Sequence, residues 1–274
     1  MSQLSLGEMP AARAAIDSLR SPDEKFAAMI TGAENLWKKG DHTEAIKWLE
    51  EALKALPAGQ DYEFLRYFAI PYQVKLGQKD AAMLAAGALS PELRVEGYMA
   101  VAITCAETKD IACVNAAADQ MKLATRHGQG SEDFGLKLMM LNVTAALIDN
   151  QQTQEAARFL RTLEQQSDDG SFKWGIEPRL QLQRVFMLAQ ENKFGEARSL
   201  ALKMRRDSIA DAERSTALRI TILLETKQNG TRDSLAWARA LVSAEDRAYA
   251  LLGVAQGLLG IGEVKLGYGA IQVH

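Results

Sequence analysis

Prolines are few in this chain, six in all, and histidines and cysteines fewer still, three and two. Runs of β-branched residues bounded by turn residues are also scarce, whereas Ala, Leu, Met, Gln, Glu and Lys abound, so a sheet-rich fold is excluded and an all-α chain is expected. Net charge is small: −3, with a pI near 5.8. The sequence therefore lacks the positive excess of a phosphate-neutralising surface, which sets nucleic acid aside as a partner. Long apolar runs are missing as well. The strongest, Ala248 to Ile261, is too short and too rich in glycine for a span of about 20 residues, which excludes membrane insertion. No basic segment followed by an apolar one opens the chain, so the expected location is the cytoplasm, with the bacterial periplasm as the alternative if a signal peptide has been removed.

Chemistry-bearing motifs are equally sparse. Cys105, Cys113, His42, His127 and His274 do not gather into the roughly four ligands that zinc takes, and no cofactor is expected. The two cysteines read as buried reduced thiols. A disulfide across the short turn between them is geometrically open and would imply an oxidising compartment. Glycine-rich phosphate loops, nucleophile elbows, His-Glu-x-x-His and calcium loops are not found, and His42, after Gly40-Asp41 in a turn, reads as solvent-exposed. The chain is accordingly expected not to be an enzyme.

What is present is helix, in a recurring form. The 274 residues are 47% hydrophobic, ample for a buried core. Ser21-Pro22-Asp23-Glu24 is a strong helix start, and Phe26, Met29, Ile30, Ala33, Leu36 and Trp37 follow at steps of three and four, on one face. Gly40-Asp41 ends that helix and starts another, in which Ala45, Leu49 and Ala52 form the apolar stripe before Pro57 stops it. Small Ala45 and Ala52 let the two helices approach, with Leu49 filling the space between turns.

Ala33, Leu36, Gly40, Ala45, Leu49, Ala52 and Pro57 together resemble the tetratricopeptide repeat, whose period is about 34 residues. Fainter copies follow: Tyr62 to Leu76 with Gly77 at the turn, Arg94 to about Arg126 turning at Lys109-Asp110, and Leu136 to Leu163 turning at Asp149 to Gln152. Further copies run from Leu180 to Met204, turning at Asn192-Lys193, and from Ala212 to Ser243 around Asn229-Gly230. A last pair begins near Asp246. Ala217-Leu218 and Ala250-Leu251 stand 33 residues apart.

The resemblance implies a right-handed superhelical solenoid of about seven antiparallel helix pairs. Residues 1–20 would cap it, residues 21–126 would form an N-terminal half and residues 127–274 a C-terminal half, with loop breaks near 127–134 and 167–178. Six glycines crowd between Gly253 and Gly269, each costing a helix about 1 kcal/mol relative to Ala. The chain then closes on apolar Ala270, Ile271 and Val273: either a partner, such as a second copy of the chain in a homodimer, or further chain covers that end, or the final helix is marginal.

In function, the resemblance implies a non-catalytic scaffold, adaptor or chaperone-like module that holds a protein or peptide on the concave face lined by the leading helices. The alternative is a regulator that senses a peptide or inhibits an enzyme by changing shape. Residues expected to face that surface are Glu34 and Lys38, Tyr67 and Lys75, then Asp149 and Gln190, with Trp174 as an aromatic on the second loop break. Ile30 and Glu34 fall where the chaperone-binding subtype carries Lys and Asn. An acid there repels a carboxylate, which sets that ligand class aside.

Overall fold

The computed structural model describes residues 9–125, 132–165, 175–207, 210–260 and 265–266. Fourteen α-helices and no strand occur among them. In chain order they are α1 (Met9–Asp17), α2 (Pro22–Lys38), α3 (His42–Ala55), α4 (Glu63–Lys75), α5 (Lys79–Gly87), α6 (Pro91–Glu107) and α7 (Ile111–Thr125). The second series is α8 (Glu132–Asp149), α9 (Thr153–Gln165), α10 (Glu177–Gln190), α11 (Phe194–Lys203), α12 (Asp211–Asn229), α13 (Thr231–Ala240) and α14 (Ala244–Leu258). The chain divides into two compact units, residues 1–129 and 130–274.

Each unit repeats one local device, the helix pair. The six pairs are α2–α3, α4–α5, α6–α7, α8–α9, α10–α11 and α12–α13, and α14 follows the last of them. Every pair turns at one residue in the left-handed region: Gly40, Gly77, Lys109, Gln151, Asn192 and Gly230, with φ of 87°, 80°, 59°, 63°, 64° and 84°. In the first five the residue after the turn sends its N–H back five positions, as in Asp41 N to Leu36 O at 3.0 Å, Asp110 N to Cys105 O at 2.9 Å and Lys193 N to Leu188 O at 2.9 Å. This is the Schellman closure, which satisfies carbonyls that the helix end leaves open. Glycine enters this conformation without penalty, whereas the Cβ of Lys109, Gln151 and Asn192 meets the chain there.

Leading helices pack on one another as well as on their mates: α2 on α4 and α4 on α6 in the first unit, α8 on α10, α10 on α12 and α12 on α14 in the second. A helix with neighbours on three sides has little surface left, and in α6 every residue from Gly97 to Ala106 is buried. The stripe read from Ala33, Leu36, Ala45, Leu49 and Ala52 is the core of the first pair, joined by Trp48, which is 1% exposed. Burying one such large side chain contributes on the order of 2–3 kcal/mol. Helix α1 is tied to α3 by Arg13, which pairs with Glu44 and Glu51 at 3.0 Å each and lies 5.1 Å from the Trp48 ring centroid.

Two expectations change here. Cys105 and Cys113 are not reduced thiols: they form a disulfide joining α6 to α7, with Cα atoms 5.8 Å apart. The turn at Lys109-Asp110 brings two helix faces together at a separation within the reach of such a bond. Nor do Gly253 and Gly257 weaken the fold as bare helix breakers, because both lie against α12. A Cβ at residue 253 would meet Arg219 O at 2.4 Å, and one at residue 257 would meet Thr226 Cβ at 2.7 Å. These glycines let α14 approach closely. The apolar terminus at Ala270, Ile271 and Val273 lies outside the described residues, and so does Trp174.

The second unit is locked by charge. Arg214 on α12, 2% exposed, grips Asp246 on α14 through two bonds, Nε to Oδ1 at 3.1 Å and Nη2 to Oδ2 at 2.7 Å. Its third nitrogen donates to the carbonyls of Ala201, Leu202 and Met204 at 3.0, 2.7 and 2.8 Å, capping the end of α11. One guanidinium thus joins three helices with nearly all its donors used.

Candidate functional site

Among the described residues, no group of three or more His, Cys, Asp or Glu is placed to hold a metal ion, and no helix is long and apolar enough to cross a membrane. His42 is exposed and stacks on Trp37, ring centroids 3.8 Å apart. The leading helices offer surfaces on which a partner can be held.

In the first unit the surface is largely self-satisfied. Glu34 and Lys38, one turn apart on α2, form an ion pair at 2.7 Å, and that bond raises the Lys38 pKa. Lys75 on α4 reaches Glu107 on α6 at 3.5 Å. Tyr67 is not an exposed anchor: it is 5% exposed, and burial, helped by the nearby Glu96 carboxylate, pushes its phenol up to about 12. It sits in a cluster with Phe64 and Phe68, and Phe64, 55% exposed, is the aromatic that reaches the surface. The helical period places Tyr67 on the outer side of α4, but that side abuts α6, the next leading helix.

In the second unit the corresponding face is built differently. Two glutamines on α10, two turns apart, each donate a side-chain amide to a carbonyl of α8: Gln183 to Leu141 O at 2.8 Å and Gln190 to Ile148 O at 3.3 Å. A helix carbonyl has a second lone pair, so these bonds add to the helix's own. Both glutamines keep an Oε1 atom that is buried and has no hydrogen-bond partner, and the same is true of Glu213 Oε2 on α12. Gln183 as a whole is only 6% exposed. A buried acceptor left open costs about 1–3 kcal/mol, so three on one face call for an explanation.

Two hollows adjoin these acceptors. One of about 590 Å³ is bordered by Gln190 and Glu191 at the end of α10, by Gln151 and Thr153 at the α8–α9 turn, and by Leu224 and Lys227 of α12. The other, about 240 Å³, is lined by Leu141, Asn142 and Ala145 of α8, Leu182 and Gln183 of α10, and Glu213 of α12, with Arg179 at its edge. Arg179 Nε stands 3.8 Å from Glu213 Oε1. The first is the size of a small-molecule or side-chain pocket, the second that of a few water molecules or one or two side chains.

The second hollow has another wall, Leu266, from the stretch that follows α14. Its backbone N–H donates to Asp149 Oδ1 at 2.8 Å, across 117 residues of sequence. Asp149 and Gln190 are both engaged in bonds, Asp149 with Leu266 and Gln190 with Ile148. Gln183, Glu213, Arg179 and Leu266 were not foreseen. The available signal was Gln183 itself, a polar residue between Leu180 and Val185-Phe186 on the apolar side of α10. Comparison of the chain with protein-family models, with curated proteins and with solved structures finds no match.

Proposed function

We propose that the protein is a non-catalytic interaction module, a solenoid of helix pairs resembling tetratricopeptide repeats, that holds a peptide or protein segment on the leading-helix face of its second unit. The observation that carries this reading is a set of buried acceptors without hydrogen-bond partners, Gln183 Oε1, Gln190 Oε1 and Glu213 Oε2, on residues that line hollows between α8, α10 and α12. Helices keep their own backbone donors occupied, so such a wall is complemented by a segment that brings N–H groups of its own.

A standing disulfide between Cys105 and Cys113 supports the periplasmic alternative over the cytoplasm, because thiols in reducing compartments stay apart. The scaffold, adaptor and chaperone-like roles share this binding step and differ only in what the held segment belongs to. Panning a random peptide library on the purified chain tests the step. Enriched peptides should lose about tenfold in affinity against the Glu213→Ala chain, the scale of one lost charge-assisted hydrogen bond. Enrichment no greater than on an unrelated helical protein would refute the reading.

A further inference from the structure

At Lys265-Leu266, non-helical chain from beyond the last described helix lies on the face just described. Three features make that seat specific. The Leu266 N–H is held by a carboxylate, Asp149, at 2.8 Å. The residue forms one wall of the hollow closed by Leu141, Ala145 and Leu182, which are aliphatic or small. Beside it stand Gln183, more than nine-tenths buried with Oε1 unpartnered, and Glu213 with Oε2 unpartnered. The seat therefore offers acceptors for backbone N–H groups around an aliphatic lining. Its acids disfavour a ligand that brings a carboxylate or phosphate.

Resting on the interaction reading above, we propose that this seat is a binding site for an extended, leucine-bearing peptide segment, and that the chain's own Leu266 stretch occupies it as a built-in competitor. Extended backbone is the conformation that leaves N–H groups available to a wall of acceptors, whereas a helix presents none from its interior. Leucine fits because its branched side chain fills an aliphatic hollow without bringing a polar atom that needs a partner. A partner with the same two features would have to displace the resident segment, and its apparent affinity is reduced by the fraction of molecules whose seat is vacant.

The probe is a fluorescein-labelled peptide with the sequence of residues 262–270, titrated by anisotropy into the full-length chain and into the full-length Leu266→Asp chain. A resident segment that fills the seat ~90% of the time makes the wild-type chain bind about tenfold more weakly than the variant. The same peptide with its leucine replaced by aspartate should bind neither chain. Equal affinity for both chains would overturn the competitor, and absence of binding to a Leu266→Asp chain with wild-type helix content would overturn the site.

Hydrogen exchange on the wild-type chain supplies a second reading that needs no substitution. Excess peptide should speed exchange at the Leu266 amide as its bond to Asp149 opens, and an unchanged rate counts against displacement. If library peptides bind at Glu213 while the 262–270 peptide binds neither chain, this inference falls and the interaction reading stands. If no peptide of either kind binds, both fall.

Discussion

The two units fasten their helices with different chemistry. In the first, α6 and α7 are stitched by the Cys105–Cys113 bond at one end of the pair, and the ion pair between Lys79 and Asp110 ties α5 to the start of α7. In the second, α11, α12 and α14 are clamped by Arg214 and Asp246, with Arg206 adding a bond to the same carboxylate at 2.7 Å, and Arg198 paired with Glu225 between α11 and α12. A disulfide acts mainly by restricting the unfolded chain. A buried ion pair acts on the folded state alone, where each partner is costly without the other. The stitched unit pairs the charges on its leading helices and leaves one buried acceptor open, Gln73 Oε1, whereas the clamped unit leaves several, on residues that line hollows.

That contrast can be broken most forcefully at Asp246. Truncation to alanine leaves the 2%-exposed Arg214 with carbonyl partners but no counter-charge, so Asp246→Ala should cost about 3–5 kcal/mol in urea denaturation. Hydrogen exchange should place the loss within residues 130–274. If residues 9–125 lose protection equally, the two locks are not separate devices.

A smaller effect is expected from the disulfide. Its short loop, with the cysteines eight residues apart, restricts the unfolded chain by about 2.5 kcal/mol. Cys105→Ser with Cys113→Ser should lower the urea midpoint correspondingly, and reductant should do the same to the wild-type chain while leaving the double variant unmoved. A reductant-sensitive double variant would show that the change came from elsewhere.

The smallest effect sharpens the comparison at the turns. Lys109 in the first unit and Gln151 in the second both hold the left-handed conformation that Gly40 and Gly77 hold elsewhere. Replacing either by glycine should raise stability by about 0.5–1 kcal/mol, read as a rise in Tm. A fall at Gln151 alone would show that its side chain, at the rim of the larger hollow, contributes more than its backbone strain costs.

Much of the architecture is legible from residues one at a time. Ser21-Pro22, Gly40-Asp41 and Pro57 mark helix ends by conformational restriction that needs no neighbours. Even the turns at Lys109, Gln151 and Asn192 announce themselves, through the polar pairs that interrupt apolar helices. The surfaces resist such reading. Helical periodicity gives the phase of a helix relative to one apolar face, but leading helices here have three packed sides, so the phase of Tyr67 said nothing about α6 lying over it. Asp149 and Gln190 sit at helix ends, where each takes part in a bond to a distant part of the chain. Gln183, Arg214 and Asp246 hide for a different reason: each is a polar residue made acceptable by partners 42 or 32 positions away, and no local pattern carries that information. The same holds for the pairing of Cys105 with Cys113, which depends on how two helices turn towards one another.

The bond between Leu266 and Asp149 has a kinetic side. An array of stacked pairs is a one-dimensional system in which each pair meets only its neighbours, so folding spreads along it and the ends fray freely. Here the stretch beyond the last helix of the second unit returns to that unit's first helix, across 117 residues. This contact has the largest sequence separation of any side-chain bond described above, and closing it comes at the loop entropy of the whole unit. Within the second unit, this bond fastens chain beyond the last helix to the end of the first, and a contact of such separation forms more slowly than the local turns do.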